Sequence, residues 1–245
     1  MKLNKIIDFL EQFAPTELAE EWDNVGLLVG RCGDDITKIL VCLDFAENIL
    51  EQAIKEGCEM IITHHPVIFK AIKSLTNPLL LKAAASNICV YSCHTNLDST
   101  IGGVNEALAE KLGLLNVETD VMLRFGELSE EMSTESFFEH IKKSLGVSAL
   151  RVNKVKKTVK KVGILGGSGA DFMELAVKNN CDAFVTGEAS YHVSQSAESE
   201  GILLVCAGHF ETEVPIVPVL AKRIQNEFSE IEVIEGICTN PFVIA

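Results

Sequence analysis

The chain carries one pattern twice, and that repeat limits what it can fold into. Residues 38–63 read KILVCLDFAENILEQAIKEGCEMIIT, and residues 161–186 read KVGILGGSGADFMELAVKNNCDAFVT. Set in register, the pairs Lys38/Lys161, Glu51/Glu174, Ala53/Ala176, Lys55/Lys178, Cys58/Cys181 and Thr63/Thr186 are identical. Apolar positions also match at Ile39/Val162, Val41/Ile164, Ile54/Val177 and Ile62/Val185. Each copy reads as strand, turn, helix, strand, which implies an internal duplication. Alternating strands and helices predict an α/β fold with parallel or mixed sheets and helices outside. The repeat resumes further on: aligning Ile88–Cys93 with Leu203–Gly208 puts His94 on His209 and Asp98 on Glu213. Two related halves then face each other, with a metal site between them at the carboxyl ends of their strands.

The segment IITHHPVIF, Ile61 to Phe69, is the richest in chemistry. An apolar run ends in His64 and His65, followed by Pro66. Neighbouring side chains on a strand point to opposite faces, so two adjacent histidines converge only where the strand has ended. Pro66 favours extended or turn geometry at its predecessor, as such an ending requires. Two further motifs, HTNLD (His94 to Asp98) and HFETE (His209 to Glu213), supply carboxylates.

Taken together, His64, His65, Asp98, His209 and Glu213 form a donor set of imidazoles and carboxylates without thiolate. It suits two divalent ions of Zn, Mn, Fe, Co or Ni. Five ligands exceed what one catalytic zinc uses, and fit an ion pair with a bridging carboxylate. His209 and Glu213 are four apart and share a face if the segment is helical. The competing readings are a helix cap or turn for Asp98 and a first-turn acid for Glu213. His94, Glu188 and His192 are acid/base candidates, or groups supporting the ligands, set against simple loop solvation. Gly166, Gly167, Ser168 and Gly169 form a turn whose amides could cradle an anion such as phosphate, set against a plain tight βα turn. WDNVGLLVG holds the sole tryptophan, Trp22, with Asp23 and Asn24. Packing and turn formation are its expected roles, at the edge of the site.

Residues 1–114 are expected to form the first α/β half, 115–160 a connecting segment, and 161–245 the second half. MKLNKIIDFLEQF has the apolar spacing of an amphipathic helix, and so do MSTESFFEHIKKSLGV, with Gly146 as its stop, and IVPVLAKRIQNEF. VSALRV and IEVIEG read as strands. No apolar run is long enough for a membrane span, nothing resembles a signal peptide, and the expected location is the cytoplasm. The net charge of −14 argues against a large nucleic-acid interface. KVKKTVKK, Lys154 to Lys161, is a local exception: a solvated strand face, or a dock for an anionic partner. The eight cysteines, Cys32, Cys42, Cys58, Cys89, Cys93, Cys181, Cys206 and Cys238, form no CxxC pair and read as structural thiols.

WDNVGLLVG, ITHHP, HTNLD followed by GGVNEALAEKLGL, LGGSG, TGE with a downstream histidine, and GHFETE together resemble the Nif-three-like dinuclear metal-centre family. Its members are also called GTP cyclohydrolase I type 2 homologues, and the resemblance spans essentially the whole chain in a short form without an inserted domain. It implies a duplicated α/β fold and two divalent metals on His64, His65, Asp98, His209 and Glu213. It also implies a ring-shaped homohexamer and opening of the GTP imidazole ring. The residues themselves support a metal-dependent hydrolase of a nucleotide or similar small molecule, equally a phosphoesterase or amidohydrolase. The alternatives are a non-enzymatic metal-binding or delivery protein and a metal-stabilised interaction scaffold.

Overall fold

A computed structural model describes residues 1–30 and 35–244. In chain order the strands are β1 (Gly26–Val29), β2 (Lys38–Cys42), β3 (Met60–Thr63), β4 (Cys89–Ser92), β5 (Leu115–Asp120) and β6 (Leu123–Met132). They continue with β7 (Arg151–Val152), β8 (Val159–Leu165), β9 (Ala183–Thr186), β10 (Leu203–Cys206) and β11 (Glu232–Glu235). They build two sheets, β1-β4-β3-β2-β11 and β5-β6-β8-β9-β10-β7. The chain divides into two compact units: Met1–Gly103 with Ile216–Thr239, and Val104–Pro215 with Asn240–Ala245.

These boundaries differ from the sequence expectation. Residues 115–160 do not merely connect: they supply β5, β6, β7 and the helix Thr134–Leu145 of the second unit. The expected helix and strand after residue 215 return to the first unit as Ile216–Glu227 and β11, which pairs in parallel with β2. VSALRV gives strand only at Arg151–Val152, an antiparallel edge on β10. Thr134–Leu145 begins where the Ser133 side chain accepts from Ser136 N and ends at Gly146, whose φ is +72°. Phe137 and Ile141 bury its apolar face.

The central strands β2, β3 and β4 are parallel, as are β8, β9 and β10. All four residues of β3, β4, β9 and β10 are buried, as expected of strands covered on both faces. In the second unit, Val162, Ile164, Ala183 and Val185 pack with Leu108, Phe137 and Ile141 of two helices. Phe184, Leu204 and Cys206 alternate to the other face and pack with Met173, Ala176 and Ala197. In the first unit, Leu40, Ile61 and Val90 pack with Ile49, Leu50 and Ala53 of the helix Glu47–Glu56.

The two segments aligned in the sequence share several backbone details. Ile39 pairs with Met60 as Val162 pairs with Ala183. After the intervening helices, Cys58 N bonds Ala53 O at 2.8 Å and Cys181 N bonds Ala176 O at 2.9 Å. Each bond spans a left-handed residue, Gly57 or Asn180. The Glu59 carboxylate accepts from Thr37 N at 3.0 Å and Lys38 N at 2.8 Å. Asp182 accepts in the same way from Lys160 N and Lys161 N, at 3.0 and 2.9 Å. The lysines of KVKKTVKK are largely spoken for. Lys156 meets Glu135 and Lys157 meets Asp182, at 3.2 and 3.3 Å, and Lys161 lies over the Phe125 ring.

Among the described residues, Cys42, Cys58, Cys89, Cys93, Cys181 and Cys206 are buried and Cys238 is half-buried. Cys32 lies outside the described residues. Burial pushes the Cys58 and Cys181 thiols up to about 11 and Cys93 to about 12, so they behave as small apolar groups.

Burial works to raise the Glu59 pKa, but the Thr37 and Lys38 amides outweigh it and the net shift is downward. A depressed folded pKa stabilises above the unfolded carboxylate value and is lost as pH falls. Glu59→Gln should therefore destabilise by on the order of 1 kcal/mol at neutral pH, since water reaches the carboxylate. Urea titrations should show the gap between wild type and variant closing below about pH 4.

Candidate metal centre

In the first unit, parallel pairing ends three strands at one rung: Cys42 beside Thr63 beside Ser92. The segments leaving them therefore emerge side by side. His64 N bonds Cys42 O at 3.2 Å and His65 N bonds Leu43 O at 3.0 Å. Thr63 Oγ1 donates to His65 O at 2.8 Å. These bonds turn the backbone, so the two adjacent histidines fall on the same side, with ring centroids 4.9 Å apart. His94 follows β4, its ring 5.2 Å from His64 and 5.6 Å from His65. One ligand atom from each of His64, His65 and His94 lies within 4.8 Å of the others.

Each ring is held through Nδ1. His64 Nδ1 lies 3.0 Å from Cys93 O. A carbonyl only accepts, so Nδ1 carries a proton, and in the neutral ring the lone pair is then on Nε2. His65 Nδ1 is 2.7 Å from Asp44 Oδ1 and His94 Nδ1 is 2.9 Å from Asp23 Oδ1. Asp23 also accepts from Thr95 N at 3.0 Å and from Thr95 Oγ1. Burial would raise its pKa, but the bonds from His94 and Thr95 prevail and hold it well below the usual range. Asp98 lies in the helix Thr95–Ser99, with Oδ1 3.8 Å from His64 Nε2. It does not cap that helix: the capping position is His94.

In the second unit the same arrangement of strand ends leads through Gly208, at φ +103°, into the helix His209–Glu213. One turn apart, His209 Nε2 and Glu213 Oε2 lie 3.1 Å from each other, with Glu213 buried. His209 Nδ1 is 3.0 Å from Glu188 Oε1, which also accepts from Ser168 Oγ at 2.6 Å. These two bonds lower the Glu188 pKa. Carboxylate-held imidazole is the arrangement metal-ligating histidines use, because it fixes the tautomer and aims the other nitrogen.

The profile of the Duf34/NIF3 (NGG1p interacting factor 3) family matches residues 1–241. The chain belongs to this family. A Clostridium perfringens relative named GTP cyclohydrolase 1 type 2 homolog is 36% identical over 250 residues, covering 96% of this chain and 95% of its own. A Campylobacter jejuni relative of the same name is 36% identical over 249 residues, covering 99% of each. The crystal structure of a Staphylococcus aureus hypothetical protein superposes with a TM-score of 0.94 at 27% identity, over 100% of this chain and 99% of the other.

Two sequence readings change in this NIF3-family chain. The alignment of His94 with His209 is one residue out of step with the backbone. Thr63 pairs with Ser92 and Thr186 with Cys206, so His94 matches Gly208 and Asp98 matches Thr212. Two equally long helices, Thr95–Ser99 and His209–Glu213, follow at matched positions. The LGGSG turn is not an open anion cradle. Gly166 N bonds Asn105 Oδ1 at 2.9 Å and Gly167 N bonds Thr212 Oγ1 at 3.0 Å, which occupies both amides, while the Ser168 hydroxyl serves Glu188. A 3-10 helix runs from Gly169 to Phe172 and leads directly into the helix Met173–Lys178. Of the acid/base candidates, Glu188 meets Ser168 and His209, whereas His192 is exposed in the next helix against Tyr191 and Gln195.

The anchoring roles of Asp44 and Asp23 are not expected from their local sequence. The available signal was a carboxylate just past a strand end, in LDF, and one next to the lone tryptophan. The glycine turn has a different role from the one expected. A Cβ at Gly167 would run into Glu213 Oε1 and come within 3.2 Å of His209 Nε2, and its φ is +58°. Gly167→Ala should push the Glu213 carboxylate off His209 and weaken metal binding at least about tenfold by calorimetric titration. Asp44→Ala, which removes the His65 anchor, should cost roughly 10–100-fold.

Proposed function

We propose that this protein binds two divalent metal ions through His64, His65, Asp98, His209 and Glu213 and acts as a hydrolase on a nucleotide or similar small molecule. The observation that carries the reading is the shared treatment of the histidines. His64, His65, His94 and His209 each have Nδ1 at an oxygen, 2.7–3.0 Å away. The donor set fits a divalent ion: neutral imidazole and carboxylate suit Zn, Mn, Fe, Co or Ni, and no thiolate competes. Glu213 Oε1 occupies the space on the side of Gly167 where a Cβ would sit, next to His209 Nε2. The relatives' shared name points to ring-opening hydrolysis of GTP.

When bound, such ions supply Lewis acidity, acidifying water and polarising a carbonyl or phosphoryl oxygen. The chain's own groups do the rest. Asp44, Glu188 and the Cys93 carbonyl keep each ligand ring in one tautomer and one orientation, so no reorganisation is needed when substrate arrives. His94, with Nδ1 held by Asp23, is the group placed to move a proton at Nε2.

Elemental analysis of purified protein beside His65→Ala should find about two transition-metal equivalents in the wild type and a deficit in the variant. Metal-loaded protein should then turn over at least one member of a nucleotide and phosphoester panel, and Glu213→Ala should abolish that turnover. Full metal occupancy without turnover across the panel would favour a metal-delivery protein instead.

A further inference from the structure

Two large aromatic side chains stand half-exposed beside the histidine cluster. Trp22 is 57% exposed and Phe69 50% exposed. Their ring centroids are 5.6 Å apart. Each also meets His94, at 5.9 Å from Trp22 and 6.3 Å from Phe69. Exposed aromatic rings normally shift freely among rotamers, but the backbone beneath these two is pinned. Glu20 N bonds Thr95 Oγ1 at 2.9 Å, Asp23 takes His94 and Thr95, and Asn24 Nδ2 bonds the Ile68 carbonyl. Thus Trp22 is tethered on both sides, and Phe69 follows a residue tied to the same stretch. A solvent-facing aromatic pair whose backbone is held by part-buried polar bonds is already ordered for a ligand, which lowers the cost of binding one.

We infer that Trp22 and Phe69 form a stacking platform for the planar heteroaromatic ring of the ligand, placing that ring beside His94. Aromatic faces bind any base-like ring through stacking, whatever its edge groups. The two rings pack on each other with their planes tilted by 48°, and their exposed parts favour a planar heteroaromatic ring over an aliphatic or purely anionic ligand. This deepens the reading above by naming the substrate class and the residues that select it. It concerns binding, so it can hold or fail apart from catalysis.

Trp22 is the sole tryptophan, so the protein reports on its own platform. Metal-loaded protein is titrated with guanosine, GTP and tripolyphosphate while tryptophan fluorescence is followed, with inner-filter correction. Saturable quenching by guanosine and GTP, absent with tripolyphosphate, is expected. Phe69→Ala should weaken guanosine binding roughly ten- to a hundredfold, Phe69→Leu nearly as much, and Phe69→Tyr should restore it. Trp22→Ala, followed by calorimetry, should show a similar loss with metal content unchanged. Quenching by tripolyphosphate equal to that by GTP, or Phe69→Leu binding like wild type, would overturn the platform. So would turnover of a nucleotide with no quenching, and that result would leave the hydrolase reading standing. Quenching with no turnover on any substrate would support the platform and count against the hydrolase.

Discussion

An imidazole has two nitrogens and two tautomers, and it presents a lone pair to a metal reliably only when its other nitrogen is tied down. Much of what surrounds the candidate site follows from that requirement. His64 is tied by a backbone carbonyl, His65 by Asp44, His94 by Asp23 and His209 by Glu188. Each anchor comes from a different stretch of chain, so the fold must deliver both the ring and its acceptor within about 3 Å. The anchors themselves are secured in turn: Asp23 by Thr95, and Glu188 by Ser168.

Parallel strands make this delivery economical. In each unit three buried parallel strands stop at the same rung, so the next one to three residues of every strand emerge together. The apolar interior of those strands leaves no polar distraction within the sheet and concentrates polar side chains at its end. Helices packed on the sheet faces then fix the strand ends. In the second unit one more constraint acts: Gly167 must lack a side chain, or the Glu213 carboxylate could not sit beside His209.

The parts legible in the sequence are those written in local periodicity. The β3 strand, the turn at His64 and His65, and the helix Thr134–Leu145 with its Ser133 cap and Gly146 stop can all be read directly, because each depends on neighbours in the chain. The unit boundaries are not legible. That the helix Ile216–Glu227 and β11 belong to the first unit depends on β11 finding β2, a pairing between residues almost two hundred positions apart. The one-residue slip between His94 and His209 has a related cause. Side-chain identity favours matching the histidines, whereas rung pairing counts from the strand, and only the structure reveals the rungs. The anchors Asp44 and Asp23 were hidden for the same reason: an acid after a strand looks like a turn residue until its histidine partner arrives from elsewhere.

X-ray absorption at the metal edge of the reconstituted protein is the most direct test of the central claim. A first shell of nitrogen and oxygen alone at about 2.0–2.2 Å, with metal–metal scattering at about 3.5–4 Å, is the expected spectrum. A sulfur shell at about 2.3 Å, or a single metal with no metal neighbour, would contradict a dinuclear imidazole–carboxylate centre.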